Sequence, residues 1–349
     1  MMERLHGKSI DLARLKSPVL KNLWDPLKEM ERLAEHLHVK ETAVKQKSCY
    51  ICNSKESEKR VEIHGVWYAT CQNCGHLYTL HRYSEEALRR FYEDNNYYSE
   101  ITYANKETCY YRREHVALPK VEYVERFTGL ASGIWIDVGA GIGDLVSVAQ
   151  ERGWEAIGLE LSDSSVNFAK EVFAVDLIRQ PLDAYLVENP KMLGCAKVVS
   201  IIGVMEHVVN PMELLRQIHA VLAPGGVVVI QVPHANSVSS MVQEVFPQFV
   251  FRHMVPFTHI MVFSESSLQC ALDQVGFEME GLWFHGMDMY ELMITLAFID
   301  DRIVQSALFR TMMSAMNELQ LVMDKRELSD RLICVARKKD KVSSFRKLA

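Results

Sequence analysis

Two pairs of cysteines are the part of the sequence whose residue type and spacing most directly indicate chemistry. Each pair is a Cys-x-x-Cys motif, and 18 residues separate the two: Cys49, Cys52, Cys71 and Cys74. Two thiolates three positions apart can bind one ion at about 2.3 Å, and two such pairs complete a tetrahedron. Four thiolates leave no open ligand position, so the pattern predicts a structural zinc ion. Reactive thiols, an iron–sulfur cluster and a site without metal are the alternatives.

A turn with alternating glycines is the second chemical feature. It follows the apolar run 135–138 and contains Gly139, Gly141 and Gly143. The dinucleotide pattern G-x-G-x-x-G fails because position 144 is Asp, which would repel a pyrophosphate at a helix N-terminus. A ligand with an amino group would suit such acidic surroundings. Glu160, 17 residues after Gly143, ends the next predicted strand and is placed to accept hydrogen bonds from a ribose diol. The alternative is a turn that serves only strand–helix packing.

Several histidines follow the predicted strands and are candidates for a general base. They are His207, His234, His259 and, more weakly, His253. Histidine titrates near neutral pH, and the carboxyl ends of parallel strands are where ligands bind. The alternative for each is an ordinary role in helix capping, loop ordering or packing.

The elements around these residues alternate between short β-branched runs and helical stretches, which predicts βαβ units and a parallel sheet. The predicted strands are 135–138, 156–160, 175–178, 198–202, 227–232, 281–284 and 331–336. The fold class is therefore α/β, with a Rossmann-like sheet.

These residues carry a family resemblance. The run 137–143, with Glu160, Glu206-His207 and the Ala-Pro-Gly-Gly at 223–226, resembles the class I S-adenosylmethionine-dependent methyltransferases. The resemblance covers roughly residues 130–286 plus the final strand. It implies a seven-stranded sheet whose last strand is antiparallel, and S-adenosylmethionine as the cofactor.

The resemblance also implies roles for individual residues. Asp137 and the three turn glycines would bind the cofactor, with the glycines at its methionine end. Glu160 would take the ribose hydroxyls. Leu161 would flank the adenine, and Leu182 and Asp183 would touch its edge. Gly203 would face the amino-acid part of the cofactor.

The cysteine module narrows the resemblance to bacterial deoxysugar C-methyltransferases and to methyltransferases of polysaccharide and natural-product clusters. The segment matching a Glu-His pair of the sugar enzymes has Thr258 before His259, which weakens C-methylation and leaves O-methylation open. The expected acceptor is a small hydroxylated molecule, foremost a nucleotide-linked sugar or a surface-polysaccharide unit. A quinol, phenol or other natural-product hydroxyl is one alternative. A zinc-ribbon binding protein with an inactive methyltransferase-like domain is another.

The organisation we expect has six segments. They are an N-terminal helical extension (1–48), the zinc-binding module (49–82), a helical connector (83–128), the methyltransferase domain (129–286), a helical insertion (287–328) and a final strand with its tail (329–349). The Met- and Leu-rich insertion is expected to pack on the protein's own surface. Homodimerisation through the insertion or the N-terminal extension is a further hypothesis.

Composition restricts the class of protein and its partners. The chain has 349 residues, 48% hydrophobic and 24% charged, with a net charge of -6. This is typical of a globular protein and lacks the basic excess that favours nucleic acid. No apolar run reaches the roughly 18 residues of a transmembrane helix, and residues 1–16 have no apolar signal core. We therefore expect a soluble cytoplasmic protein that binds neither nucleic acid nor membrane.

Overall fold

A computed structural model describes residues 2–8, 10–11, 15, 27–28, 43–86, 88 and 106–339. Its centre is a seven-stranded sheet in the order β1-β12-β13-β10-β9-β7-β8. The strands are β1 (Glu3–His6), β7 (Ile134–Val138), β8 (Glu155–Leu159), β9 (Ala196–Ile202), β10 (Leu222–Pro233), β12 (Phe277–His285) and β13 (Arg331–Lys338).

The parallel strands β7 to β10 are continuous apolar runs because helices cover both faces of the sheet. The helices of this region are α3 (Asp144–Glu151), α4 (Asp163–Phe173), α5 (Leu182–Glu188), α6 (Pro211–Val221), α7 (Val238–Val245) and α8 (Glu265–Val275). Strand β13 runs antiparallel to both β10 and β12. The α/β class, the seven strands and the antiparallel last strand are confirmed.

The identity of one strand differs from the expectation. The segment 175–178 forms only an isolated bridge, between Leu159 and Ile178. It is confined between the left-handed cap of α4 at Ala174 and Pro181, which precedes α5, so it is too short for a ladder. The seventh strand is instead β1, which pairs in parallel with β12. The helical expectation for 1–48 is therefore wrong at residues 3–6 and at 43–45. The part of that segment with apolar residues at helical spacing, 24–37, lies almost wholly outside the described residues.

The cysteine module folds around its own antiparallel sheet, in the order β11-β5-β4-β3. Its strands are β3 (Ser57–Ile63), β4 (Val66–Cys71), β5 (Leu77–Thr79) and β11 (Met261–Val262). Two further strands, β2 (Ala43–Lys45) and β6 (His81–Tyr83), pair beside it. Strand β11 belongs to the chain that follows β10, so the module shares its sheet with the larger domain.

Helices precede and interrupt the larger domain. Helices α1 (Lys106–Arg112) and α2 (Leu118–Thr128), joined by a π-helical stretch at 113–117, lead into β7. Helices α9 (Asp288–Ile299), α10 (Ala307–Ser314) and α11 (Met316–Lys325) separate β12 from β13, as expected for 287–328. No helix among the described residues is both long and apolar enough to span a membrane.

The insertion is anchored by buried polar contacts rather than by apolar packing alone. The Asp288 carboxylate accepts hydrogen bonds from the Ser239 and Asp330 N–H groups and from the Gln320 side chain, each at 2.9 Å. Arg252 pairs with Glu291 at 2.5 Å and also with Asp330. These contacts tie α9 and α11 to α7, to the loop that follows α7 and to the residue before β13, so these two helices are anchored in the domain's interior.

A buried hydrogen-bond chain joins the neighbouring strands β7 and β9. The Trp135 indole donates to Ser200 Oγ at 2.8 Å, and Ser200 Oγ donates to Asp137 at 2.5 Å. We predict that Ser200→Ala lowers the free energy of unfolding by about 1–3 kcal/mol, because it leaves a buried donor and a buried carboxyl without partners. Chemical denaturation measures this change. Ser314→Ala, at an exposed position of α10, is the control and should change stability little; equal stabilities of the two variants would contradict the prediction.

Candidate functional site

The glycine turn after β7 has a backbone conformation that residues with side chains rarely adopt. Gly139, Gly141 and Gly143 all have positive φ angles, of 71°, 54° and 73°. A Cβ atom at Gly139 would lie 2.6 Å from the Val204 side chain. The turn therefore follows a path at the carboxyl edge of the sheet on which Gly139 has no room for a side chain.

Asp137 lies at this edge but is buried, 3% exposed. Burial raises the pKa of its carboxyl group to about 7, and the hydrogen bond from Ser200 opposes that rise. Its contacts within the sheet show how the end of β7 is fixed beneath the turn.

Glu160 closes over the turn from the neighbouring strand end. One carboxylate oxygen accepts the Gly141 N–H at 2.7 Å, and the other accepts the Leu161 and Ser162 N–H groups at 2.7 and 2.9 Å. An ionised carboxylate has about four acceptor sites, so the three N–H bonds leave capacity for a further donor. Burial raises the pKa of Glu160, and these N–H bonds oppose that rise.

The other predicted cofactor residues lie where a strand ends or a helix begins. Gly203 follows β9 directly, with φ of 69°. Leu182 begins α5 and is buried, whereas Asp183 beside it is exposed. The contacts of Leu182 and Asp183 with an adenine stay predictions.

Two of the histidines come together on this edge. The rings of His207 and His259 have centroids 4.8 Å apart at an angle of 61°. Nδ1 of His207 lies 2.8 Å from the Thr258 carbonyl oxygen, and Nδ1 of His259 contacts the His253 carbonyl oxygen. Because a carbonyl only accepts, each Nδ1 carries the hydrogen and each Nε2 has the lone pair. Burial lowers the pKa of His207 to about 4 and that of His259 as well, so both rings are neutral at pH 7.

His234 and His253 are oriented by other groups. His234 is 3% exposed, and its Nδ1 lies 3.0 Å from the Ser329 carbonyl oxygen. His253 is also buried, with Nε2 3.0 Å from Ser240 Oγ. His207 and His259 are both partly exposed. The geometry therefore favours His207 and His259 over His234 as groups that reach a substrate.

Glu206 is a member of this cluster that the sequence indicated only as part of a motif. Glu206, His207 and His259 each offer a ligand atom, and these three atoms lie within 4.8 Å of one another. Glu206 is 4% exposed, and its Oε2 has no hydrogen-bond partner among the described residues. Burial raises the pKa of Glu206 to about 8.

The four predicted zinc ligands are gathered in one place. Cys49 Sγ lies 3.6 Å from Cys74 Sγ, and Cys52 Sγ lies 3.5 Å from Cys71 Sγ. Sulfur ligands at about 2.3 Å from a tetrahedral ion are about 3.8 Å apart, so the four side chains fit zinc. The Ile51 N–H donates to Cys49 Sγ at 3.4 Å, a hydrogen bond that would stabilise a metal-bound thiolate.

The cysteine module holds the loop that carries His259. The Tyr68 hydroxyl donates to the His259 carbonyl oxygen at 2.6 Å, and the Thr79 N–H donates to the Ile260 carbonyl oxygen at 3.0 Å. Strand β11 follows immediately and pairs with β5. The sequence near Tyr68 and Thr79 gives no indication of these contacts, because their partners lie about 180 or more residues away.

Comparison with known proteins identifies the larger domain. Residues 111–282 match a family model described as a methyltransferase domain. The chain therefore contains a methyltransferase domain. The ubiquinone biosynthesis O-methyltransferase of Pseudomonas paraeruginosa is 26% identical over 145 residues, which are 40% of this chain and 61% of that protein. The corresponding protein of Bordetella bronchiseptica is 26% identical over 171 residues, 47% of this chain and 70% of that protein.

Solved structures similar to the methyltransferase domain include a SAM-dependent methyltransferase from Archaeoglobus fulgidus. It is 21% identical, with a TM-score of 0.44, and the match covers 65% of this chain and 94% of that one. Magnesium protoporphyrin IX methyltransferase from Synechocystis matches with a TM-score of 0.46 and 13% identity, over 73% of this chain and all of that one.

The glycine turn supports a test with a matched control. Gly129 and Gly139 have similar positive φ angles, but a Cβ atom at Gly129 would meet nothing within 4 Å. Gly129→Ala should cost only the strain of a left-handed alanine, about 1–2 kcal/mol. Gly139→Ala should cost a further 1–3 kcal/mol or so, because its Cβ atom overlaps Val204. Denaturation midpoints measure both; a Gly139→Ala variant no less stable than the Gly129→Ala variant would contradict this packing.

Proposed function

We propose that this protein transfers a methyl group from S-adenosylmethionine to a hydroxyl oxygen of a small acceptor. The observation that carries the proposal is the position of two sets of residues on one sheet edge. The glycine turn with Glu160 follows β7 and β8, and the histidine pair lies after β9 and β10. Cofactor and acceptor would meet between them.

The cofactor side uses the turn and Glu160. The ends of the two strands and the close-lying backbone of the glycine turn suit the methionine part of the cofactor, as the family resemblance implies. The remaining acceptor capacity of Glu160, and the oxygen that now holds the Gly141 N–H, suit a pair of ribose hydroxyls. When bound, the cofactor supplies an electrophilic methyl group on its sulfonium.

The acceptor side uses His207 and His259. Each ring holds its lone pair on Nε2 because a backbone carbonyl takes the Nδ1 hydrogen. Such a ring can accept the proton of a hydroxyl as its oxygen attacks the methyl carbon. His234 remains a candidate in sequence terms, but its burial makes it the weaker one.

The cysteine module positions the His259 loop and takes no part in the methyl transfer itself. We infer that one Zn²⁺ ion binds its four thiolates, closes the site and orders the strands that hold the His259 loop. Support of the His259 loop would explain why β11, which follows that loop, is the fourth strand of the module's sheet.

Two acceptor classes remain within the proposal. The resemblance of the cysteine module to that of sugar methyltransferases favours a nucleotide-linked sugar or a polysaccharide unit. The relatives that are ubiquinone biosynthesis O-methyltransferases support a quinol or phenol as the second candidate. Methyl transfer from labelled cofactor to each class of acceptor separates them, and a labelled product also shows whether oxygen is the methylated atom.

The role of Glu160 is tested by cofactor binding. We predict that Glu160→Ala weakens binding of S-adenosylmethionine and of its demethylated product at least roughly tenfold, since charge-assisted bonds to two hydroxyls are lost. Calorimetric titration measures both affinities. Glu278→Ala, at an exposed position of β12, should bind both as the unchanged protein does. Unchanged affinity in Glu160→Ala would remove Glu160 from the ribose site.

The role of zinc is tested by removing it. We predict that the protein contains one zinc ion per chain. Chelation should speed amide exchange at residues 66–79, because metal binding supplies folding energy to the module. It should also speed exchange at 260–263, because the module holds β11. Exchange at Ile134–Val138 should not change, which is the internal control. Unaltered protection at 260–263 in metal-free protein would show that the module does not hold the loop.

A further inference from the structure

The cluster of Glu206, His207 and His259 has the composition of an open metal site. We propose that it binds a second ion, a divalent transition metal such as Zn²⁺, and that this ion holds the acceptor's hydroxyl group. The proposal rests on the proposed function for the role of the ion, although not for its binding. Two imidazoles and one carboxylate leave a fourth position for water or substrate, in contrast to the closed set of four cysteines.

The orientation of the two rings supports this site. Both His207 and His259 present Nε2, because Nδ1 donates to a backbone carbonyl in each ring. Histidines that bind metals almost always donate their other ring nitrogen to such a carbonyl or to a carboxylate, which fixes the tautomer and aims the lone pair. Packing alone does not require two adjacent rings to share this hydrogen-bond arrangement, whereas a common metal ion does.

Glu206 supplies the independent observation. Its carboxylate is buried beside the two rings, and Oε2 has no hydrogen-bond partner among the described residues. A buried oxygen without a partner costs about 1–3 kcal/mol, a cost that a bound cation removes. Glu206 Oε1 already lies 3.9 Å from His207 Nε2.

The distances are close to those of a filled site. The three ligand atoms lie within 4.8 Å of one another, and nitrogen and oxygen ligands of a tetrahedral ion at about 2.1 Å would be about 3.4 Å apart. A bound ion would draw the three atoms together by rotation of their side chains.

The ion would make the acceptor more acidic. A hydroxyl bound at the fourth position has a lower pKa and a fixed orientation toward the cofactor. Because both Nε2 lone pairs would then hold the ion, water rather than either ring would take the hydroxyl proton, and the hydroxyl oxygen would take the methyl group. The carbon–sulfur bond of the cofactor would break, and the sulfonium would become a neutral thioether. Charge and atoms balance without an oxidant or reductant.

Titration with Co²⁺ tests the site on protein that keeps its structural zinc. We expect the unchanged protein to bind one further Co²⁺ ion, with visible absorption bands typical of nitrogen and oxygen ligands. His259→Asn and Glu206→Gln should each weaken this binding at least tenfold. His115→Asn, which removes an exposed histidine outside the cluster, should bind Co²⁺ as the unchanged protein does.

Two controls keep the outcomes separate. Binding of the demethylated cofactor, measured on each variant, shows that the fold is intact, and Glu206→Gln serves as the test if His259→Asn does not fold. Absence of a second Co²⁺ ion, or equal Co²⁺ affinity in the folded variants, would overturn the metal site. Failure of the unchanged protein to bind the demethylated cofactor would overturn the proposed function and leave the Co²⁺ result standing.

Discussion

The pairing of β5 with β11 is the contact on which the acceptor side of the site depends. It joins the small sheet of the cysteine module to the long loop after β10. That loop also receives the Tyr68 hydroxyl at the His259 carbonyl oxygen. The hydrogen bond to the His259 carbonyl and the pairing of β11 together hold His259 beside His207. His207 is positioned by the end of β9. The cysteine module therefore contributes to the site without any of its residues belonging to it.

The cofactor side is fixed in a different way. Strands β9, β7 and β8 are neighbours at one end of the sheet, and the hydrogen-bond chain from Trp135 through Ser200 to Asp137 joins β7 to β9. The turn at residues 139–143 is held by these strands and covered by the Glu160 carboxylate. One half of the site thus rests on a rigid sheet and the other half on a loop that a separate module supports.

Much of this arrangement could be predicted from local patterns. The cysteine spacing, the glycine turn and the alternating runs predicted the gathering of the four thiols, the turn at the end of β7 and the parallel strands, because each depends on residues near one another in the chain. The pairing of β1 with β12, and of β11 with β5, could not be predicted. Both are short strands whose partners are more than 180 residues away, and nothing in four or two residues specifies such a partner.

The cluster around Glu206 shows the same limit. The Glu206-His207 motif was visible, but its meeting with His259 depends on the module and not on the spacing of the three residues. Likewise, the Met-rich pattern of 287–328 predicted helices correctly and gave no sign of the buried carboxylates that anchor them. Periodicity reports which face is apolar, whereas buried polar contacts depend on tertiary structure.

Amide exchange with and without the demethylated cofactor tests the central claim most directly. The account predicts that binding increases protection at residues 139–143 and at 160–162, where the turn and Glu160 would enclose the ligand, and leaves residues 57–63 of the module unchanged. Binding without protection at the turn, or no binding to the folded, zinc-containing protein, would contradict it.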